Sequence, residues 1–476
     1  MSSRPLVVDL DGTLVMTDLL HESAVKLLRN QLFLLPVVLL KLTGGKAAVK
    51  QYIADRVELT PETLPYNNEL LNWLREERGR GRELILCTAS NRKFADKVAA
   101  FLDIFDHVMA SDEGTNLGGE QKARALCERF GAGGFDYAGN SRADLPIWEC
   151  AAEAIVVNAS DGLARRVAAS SSVAKSFPRP RCGLAGWARA LRLQQWLKNL
   201  LLFAPVLAAH RLVDIQAMTV LVMAFLSFSL LASATYLFND LLDLDSDRLH
   251  PRKRRRPLAA GLIPVSVGLM VPPLLITASF VLACQVTVNF VYCLLSYLLL
   301  TVCYSWFLKR YILLDCITLA VLYTLRIVAG AAAIGMGLSF WLLAFSAFLF
   351  LSLAFVKRYA ELEVQLLEGR EKAHGRGYLT TDASILQNLG ISAGYAAALV
   401  LSLYLNSEQV LVLYSTPELV WGAVLILLYW ISWMWMQAHR GHMHDDPLVF
   451  AIKDRTSLVS GALFLLVLLL GTVNWA

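Results

Sequence analysis

The sequence predicts two domains: an N-terminal α/β domain with a doubly wound sheet and a helical cap, then an all-α polytopic membrane domain of about nine transmembrane helices. Three observations predict this. Residues 1 to about 165 are mixed and charged, whereas residues 196–476 are dominated by Leu, Val, Ala, Phe and Tyr. In the first half, short β-branched runs alternate with helical stretches, the order of a parallel sheet. In the second, apolar runs of about 17 to 25 residues recur, the length that crosses a bilayer. The 476-residue chain is too long for one ordinary core, and its 56% hydrophobic content averages two unlike halves. The predicted boundaries are 1–167 for the sheet domain, with its cap at about 15–80, then 168–182 for a linker and 183–476 for the membrane domain.

Leu6-Val7-Val8 opens the sheet and delivers Asp9 and Asp11, followed by Gly12 and Thr13, to its carboxyl edge, where α/β folds place their sites. Glu83 to Cys87 delivers Thr88 and Ser90 the same way; Phe135 to Ala138 delivers Gly139, Asn140 and Asp144; Ala154 to Val157 adds a strand. The mostly helical stretch between the first two motifs forms the cap. Its run Gln31–Leu42 is too short to span a bilayer and reads either as cap core or as a membrane-touching face. Ala168 to Arg181, rich in Ser, Lys, Pro and Arg, reads as a linker, and Gly183 to Lys198 as an amphipathic interfacial helix with Trp187 and Trp196.

The apolar runs lie near residues 197–212, 216–239, 264–285, 287–307, 312–334, 338–357, 386–406, 417–438 and 457–475. The first is short and contains Pro205. Loops after the second, fourth, sixth and eighth runs carry the cations, including Arg248, Arg252 to Arg256, Lys309, Arg310, Lys357, Arg358, Arg370, Lys372, Arg440 and Lys453. By the positive-inside rule these loops face the cytoplasm with the N-terminal domain, and nine spans leave Ala476 on the opposite side. No signal-peptide pattern precedes the first strand, and the eight cysteines show no Cys-x-x-Cys pair, which fits a reducing compartment, with a bacterial inner membrane as the expected location. The net charge of +5 is modest, and no nucleic-acid partner is expected. A homo-oligomer stays open.

The most informative segment closes the second run: Asn239-Asp240-x-x-Asp243-x-x-x-Asp247, then Arg248 and the cations Arg252 to Arg256. Carboxylates three and four apart share one helical face and suit magnesium, which keeps waters and bridges to substrate phosphates. The cations balance phosphate charge. Arg326 lies within an apolar run, where a charge costs at least about 2.5 kcal/mol, so it faces a polar interior. The His439, His442, His444, Asp445, Asp446 loop reads as a solvated connector, and Asp245 as solvated or supporting.

The aspartate motif after the second membrane helix resembles the first aspartate-rich motif of the UbiA superfamily of intramembrane prenyltransferases, a likeness covering residues 190–476. Members bind a diphosphate substrate through magnesium there. Where they carry a second aspartate-rich motif after the sixth helix, this chain reads Lys357-Arg358-x-x-Glu361, which favours a phosphorylated acceptor. With Arg192-Leu-Gln-Gln-Trp196-Leu-Lys198-Asn199, Tyr304 to Lys309, and Asp446 to Phe450 with Asp454, it resembles the decaprenyl-phosphate phosphoribosyltransferase branch, which joins 5-phosphoribosyl diphosphate to a polyprenyl phosphate. The resemblance implies Asp240, Asp243 and Asp247 as magnesium and catalytic residues, oriented by Asn239. Lys198, Arg254, Arg256, Tyr304, Lys309, Arg326, Lys357, Arg358 and Glu361 are its implied substrate and phosphate contacts.

Residues 4–165 resemble the haloacid dehalogenase superfamily through Asp9-x-Asp11-Gly12-Thr13, a strand ending in Thr88, then Lys122, then Gly139-Asn140-Ser141-x-x-Asp144. The resemblance implies Asp9 as phosphoryl nucleophile, Asp11 as acid/base, and Thr88 and Lys122 as phosphate-binding, with Asp9, Asp11, Asn140 and Asp144 around magnesium. Asn140 stands where the family usually has Asp, one negative charge fewer. The implied whole is a bifunctional magnesium enzyme that transfers 5-phosphoribose and then hydrolyses the 5-phosphate of the lipid-linked product. The alternatives are a prenyltransferase acting on an aromatic or other small acceptor, and a phosphatase-like domain acting only as a scaffold.

Overall fold

The computed structural model describes residues 4–30, 37, 40, 46–112, 117–211, 213–367, 369, 376–407, 414–443 and 446–472. The chain divides into two compact units, one of Met1–Leu191 with Tyr236–Pro273, the other of Arg192–Thr235 with Leu274–Ala476.

In the first unit six parallel strands, β1 (Leu6–Val8), β2 (Leu84–Asn91), β3 (His107–Ser111), β4 (Asp136–Gly139), β5 (Ala154–Val157) and β6 (Val173–Phe177), lie in the order β3-β2-β1-β4-β5-β6. The chain winds outward through β2 and β3, returns to pair β4 with β1, and winds the other way, so the direction switches beside β1. Successive side chains alternate faces: Leu6, Val8, Leu84 and Leu86 enter one apolar layer, while Val7, Ile85, Cys87 and Tyr137 enter the other. Helices α1 (Leu19–Asn30) and α2 (Lys46–Ala54) form part of the cap; α3 (Asn68–Gly79), α4 (Arg92–Leu102), α5 (Glu120–Phe130), α6 (Leu145–Cys150) and α7 (Asp161–Ser170) connect the strands. Two strands depart from the sequence reading. β3 has an exposed, polar start at His107, and β6 lies inside the stretch read as a linker, Val173–Phe177 pairing with Ala154–Val157. Edge strands need only one buried face, so their apolar signal is weak. The run Gln31–Leu42 lies, apart from residues 37 and 40, outside the described residues, as do His444, Asp445, Arg370, Lys372 and Ala476.

After α8 (Leu184–Ala190) comes a 3₁₀ stretch, Leu193–Phe203, and the short helix α9 (Ala204–Ala208). The first predicted span is therefore not a membrane-crossing helix. Pro205 sits in the first turn of α9, where its missing N–H does no harm, and breaks the apolar run there. Among the described residues eight helices are long and apolar enough to cross a membrane. They are α10 (Ile215–Leu242), α12 (Val265–Ala283), α13 (Val288–Trp306), α14 (Leu314–Ala333), α15 (Phe340–Leu367), α16 (Ala383–Leu405), α17 (Pro417–His439) and α19 (Arg455–Thr472), with α11 (Leu244–Leu249) and α18 (Pro447–Lys453) as short turns in loops. Helices α10 and α12 contribute residues to both units. Within the second unit, a Cβ at Gly330 would stand 2.0 Å from the carbonyl oxygen of Leu202, so glycine lets α14 approach the 3₁₀ stretch closely. That contact brings Lys198 and Asn199 beside the polar face of α14.

Candidate active sites

The first site forms at the carboxyl edge of β1, beside the switch in winding direction. Lys122 of α5 is buried and donates to Asp9 Oδ1 at 2.7 Å, to the carbonyl of Cys87 at 3.1 Å and to Tyr137 Oη at 3.1 Å. Tyr137 in turn donates to Asp144 Oδ1 at 2.9 Å. Asp144 Oδ2 accepts from the backbone N–H groups of Asn140 and Ser141 at 3.1 and 2.9 Å. Asp11 Oδ1 accepts from the Leu19 N–H at 2.8 Å, and Oδ2 from Ser90 at 2.5 Å and Thr88 at 3.4 Å. Burial pushes the Asp9 carboxyl up to about 7; Asp144 and Asp11 add to that rise, while Lys122 opposes it. Burial and Asp18 likewise raise Asp11.

Gly12 occupies the left-handed region at φ 73°, and a Cβ there would stand 2.0 Å from Asn140 Nδ2. The missing side chain is thus what admits Asn140 beside β1. Asp9, Asp11, Thr88, Lys122, Asn140 and Asp144 therefore belong to one edge. Tyr137, which joins Lys122 to Asp144, escaped the sequence reading. Its alternation along β4 placed it on a core face, and only the position of Lys122 gives its hydroxyl a task.

In the same unit, α10 ends in the aspartate motif. Asn239 donates to Asp243 Oδ2 at 3.0 Å. Arg256 Nη1 reaches Asp240 Oδ1 at 3.0 Å and Asp247 Oδ2 at 2.6 Å. Two acids of the motif thus converge on one cation. Burial raises the Asp247 carboxyl above its ordinary value, Arg256 opposing and Asp240 reinforcing. Arg254 is exposed. Arg248 lies outside the motif and pairs with Glu22.

The second unit holds two polar clusters. In one, Asp446 accepts from Lys198 at 2.7 Å, Lys357 at 3.2 Å and Tyr323 at 3.1 Å, and its side chain also caps α18 at Leu448 N. Burial would raise the Asp446 carboxyl, but the two ammonium groups hold it well below the usual carboxylate range. Arg326 is buried, donating to Asn199 Oδ1 at 2.9 Å and Tyr297 Oη at 3.2 Å, and its guanidinium lies 5.4 Å from the Tyr323 ring centre. Lys198 lies 5.3 Å from the same ring. Two ammonium groups thus share one carboxylate, and the Arg326 guanidinium lies against the same Tyr323 ring as Lys198, so the cluster carries a surplus of positive charge.

In the other cluster Arg358 is wholly buried against Asp315 at 2.6 Å, an ionic contact outside hydrogen-bond alignment, and also contacts Glu361. Arg376 reaches Asp315 at 3.2 Å, Glu361 at 3.4 Å and Tyr304 at 3.3 Å; Tyr378 donates to Asp315. The adjacent residues Lys357 and Arg358 therefore serve different clusters. Lys309 lies half-buried in the 3₁₀ turn Leu308–Arg310. Asp446, read from sequence as part of a solvated connector, is instead buried under two lysines; Tyr323 and Asp315 had no assigned role, and Asn199 stood only in a quoted motif. The task of Asp446 depends on lysines 248 and 89 residues away.

No three His, Cys, Asp or Glu side chains form a metal cage among the described residues. The donor sets nevertheless fit magnesium, which takes hard oxygens and completes its octahedron with water and phosphate. At the sheet edge, burial and the crowding of Asp9 with Asp11 and Asp144 raise the Asp9 carboxyl, so a divalent cation there would relieve their repulsion. At the motif, Asp240 and Asp247 already converge on a cation.

Residues 200–452 match the model of the UbiA prenyltransferase family, and residues 6–149 that of the haloacid dehalogenase-like hydrolases. The chain is 37% identical to the uncharacterized protein y4nM of Sinorhizobium fredii, over 96% of this chain and 89% of that one. It is 39% identical to the nodulation protein NoeC of Azorhizobium caulinodans, over 57% of this chain and 89% of that one. It is 30% identical to the decaprenyl-phosphate phosphoribosyltransferase of Mycolicibacterium smegmatis, over 58% of this chain and 89% of that one.

Proposed function

This chain belongs to the UbiA prenyltransferase family and is an integral membrane protein with a haloacid dehalogenase-like domain fused before it, and from that premise we propose a two-step reaction on a lipid phosphate. The first step transfers 5-phosphoribose from 5-phosphoribosyl diphosphate to a polyprenyl phosphate; the second removes the sugar 5-phosphate. The observation that carries the reading is the pair Lys198 and Lys357 sharing Asp446 beside Arg326, a surplus of positive charge suited to a phosphorylated acceptor. Similarity to the mycobacterial phosphoribosyltransferase supports it.

In the transfer, a phosphate oxygen of the lipid attacks the anomeric carbon as the bond from that carbon to the diphosphate oxygen breaks. The diphosphate leaves with the bonding pair. No protein nucleophile is needed, so positioning and charge stabilisation carry the rate. Asp240, Asp243 and Asp247 would hold magnesium, Arg256 and Arg254 bind the departing diphosphate, and Asn239 orients Asp243. Lys198, Lys357 and Arg326 bind the acceptor phosphate, with Asp446 holding the two ammonium groups in place. Arg358, fixed between Asp315 and Glu361, holds the neighbouring Lys357 in register, Tyr304 of α13 accepts from Arg376, and Lys309 meets substrate phosphate from the turn that follows α13. Magnesium supplies neutralisation of phosphate charge at both sets of acids.

In the hydrolysis, Asp9 attacks phosphorus while Asp11 protonates the departing sugar oxygen. Asp11 then takes a proton from the water that cleaves the aspartyl phosphate, releasing inorganic phosphate. Thr88 and Lys122 bind the phosphoryl oxygens. Both steps run on the cytoplasmic face of a bacterial inner membrane, in keeping with the cation-rich loops.

The test incubates membranes with radiolabelled 5-phosphoribosyl diphosphate and a polyprenyl phosphate. Label enters the lipid fraction in wild type and not in Asp240→Asn. Asp9→Asn accumulates a lipid product that still carries the 5-phosphate. Absence of labelled lipid in wild type refutes the first step; an unchanged product from Asp9→Asn refutes the second.

A further inference from the structure

Within the first unit, helix α1 of the phosphatase cap lies against the loop that carries the aspartate motif. Three α1 residues at i, i+3 and i+4, hence on one helical face, make the contact. Glu22 receives both terminal nitrogens of Arg248, Nη1 at 2.9 Å and Nη2 at 2.5 Å. Val25 is buried with Leu237, Leu241, Leu244, Leu258, Ile263 and Val265. Lys26 pairs with Asp245 at 3.1 Å, which Thr63 of the cap also approaches. At the far end of the loop, Gly261 has φ 72°, and a Cβ there would stand 2.7 Å from Met16 Cβ. The loop is thus held at its start, middle and end by residues from another part of the sequence.

Arg248 is the centre of this contact. Its Nε donates to the carbonyl of Ala259 at 3.0 Å, so the guanidinium ties α11 to the return of the loop as well as to α1. Side-chain exposures of 6% for Arg248 and 7% for Glu22 place the ion pair out of water. Asp247 is the preceding residue, and Asp247 and Asp240 share Arg256. We infer that Glu22, although it belongs to the phosphatase cap, is a positioning residue of the transferase motif: by pairing Arg248 it fixes the turn that presents Asp247 and keeps a guanidinium from competing for the motif's carboxylates. Removing the Glu22 charge leaves a shielded cation next to Asp247, free to pull that carboxylate away from an arriving divalent ion. The inference rests on the reading of Asp240, Asp243 and Asp247 as the metal and diphosphate motif.

The test uses the full chain in lipid nanodiscs, with Asp9→Asn and Asp144→Asn to silence the sheet-edge site. Mn²⁺ alone is titrated and followed by electron paramagnetic resonance. Adding Glu22→Gln weakens Mn²⁺ binding by about tenfold, the scale of losses when groups orienting metal ligands are removed. Glu58→Gln removes an equal charge from the cap at an exposed position paired with Lys97, and leaves affinity within about twofold. Glu22→Asp, which keeps the charge but shortens its reach to Arg248, gives a smaller loss and serves if Glu22→Gln does not fold. Affinity of a folded Glu22→Gln or Glu22→Asp protein equal to that of Glu58→Gln overturns the inference. Mn²⁺ binding that Asp240→Asn does not reduce overturns the motif reading beneath it as well.

Discussion

Lys122→Met removes the ammonium that faces Asp9 and leaves a side chain of similar reach. Lys122 is 3% exposed and makes three donor contacts at 2.7 to 3.1 Å, so no solvent replaces it. Deleting one partner of a buried ion pair costs about 3–5 kcal/mol if the other stays charged. Asp9 has an escape, because its carboxyl already sits near 7 and can take a proton. At about 1.4 kcal/mol per pH unit, that cost bounds the further rise of Asp9 at about two to four units. The nucleophile is then protonated at neutral pH. The folded chain binds this proton more tightly than the unfolded one, so stability falls as pH climbs from the ordinary Asp range toward the raised value. Phosphatase turnover of p-nitrophenyl phosphate by the purified full chain, at fixed magnesium, is expected to fall at least about 100-fold at pH 7. Its acid limb moves upward by at least about one unit. Wild-type turnover with an unmoved limb would refute the assignment of Lys122 to Asp9.

Three further outcomes are expected. Asn140→Asp adds a carboxylate beside Asp9 and Asp144 and should tighten magnesium binding by about tenfold, read by the half-saturating concentration in the phosphatase assay. Gly12→Ala forces a Cβ to within 2.0 Å of Asn140 Nδ2 at a left-handed backbone and should cost about 1–3 kcal/mol, read as a lower melting temperature with reduced phosphatase activity. Asp446→Asn removes the carboxylate that faces Lys198 and Lys357; transferase activity should fall at least about tenfold, with a larger effect on the KM for polyprenyl phosphate than Glu361→Gln has.

The parts of this protein that are legible in sequence are those whose chemistry is local. Asp9, Asp11 and Gly12 stand together at one strand end, and Asp240, Asp243 and Asp247 stand within eight residues of one another, so spacing alone announces them, although the helix breaks at Asp243 and only Asp240 and Asp247 meet on Arg256. Eight long apolar helices were legible for the same reason. The stretch at 197–212 misled because composition counts its apolar residues, while Pro205 and the buried polar residues Lys198 and Asn199 set its geometry. Pairings across distance were not legible. Nothing near Arg358 indicates that Asp315, 43 residues earlier, sits against it, and nothing in α1 announces that Glu22 meets Arg248, 226 residues later. β6 was hidden because an edge strand with Lys175 and Ser176 has the composition of a linker.

That sixth strand decides where the molecule can be cut. β5 is buried along its whole length, and β6 covers its outer side through the register Ile155 to Lys175 and Val157 to Phe177. Lys175 also lies 4.9 Å above the Trp73 ring, so the outermost strand carries a charge that discourages pairing with another chain. A fragment ending at residue 167 would expose the apolar rim of β5 with its backbone groups unpaired, a template for sheet-to-sheet aggregation. Extending it past Phe177 keeps the charged strand as a selvedge, and the difference between an insoluble fragment and a tractable one lies in those last ten residues.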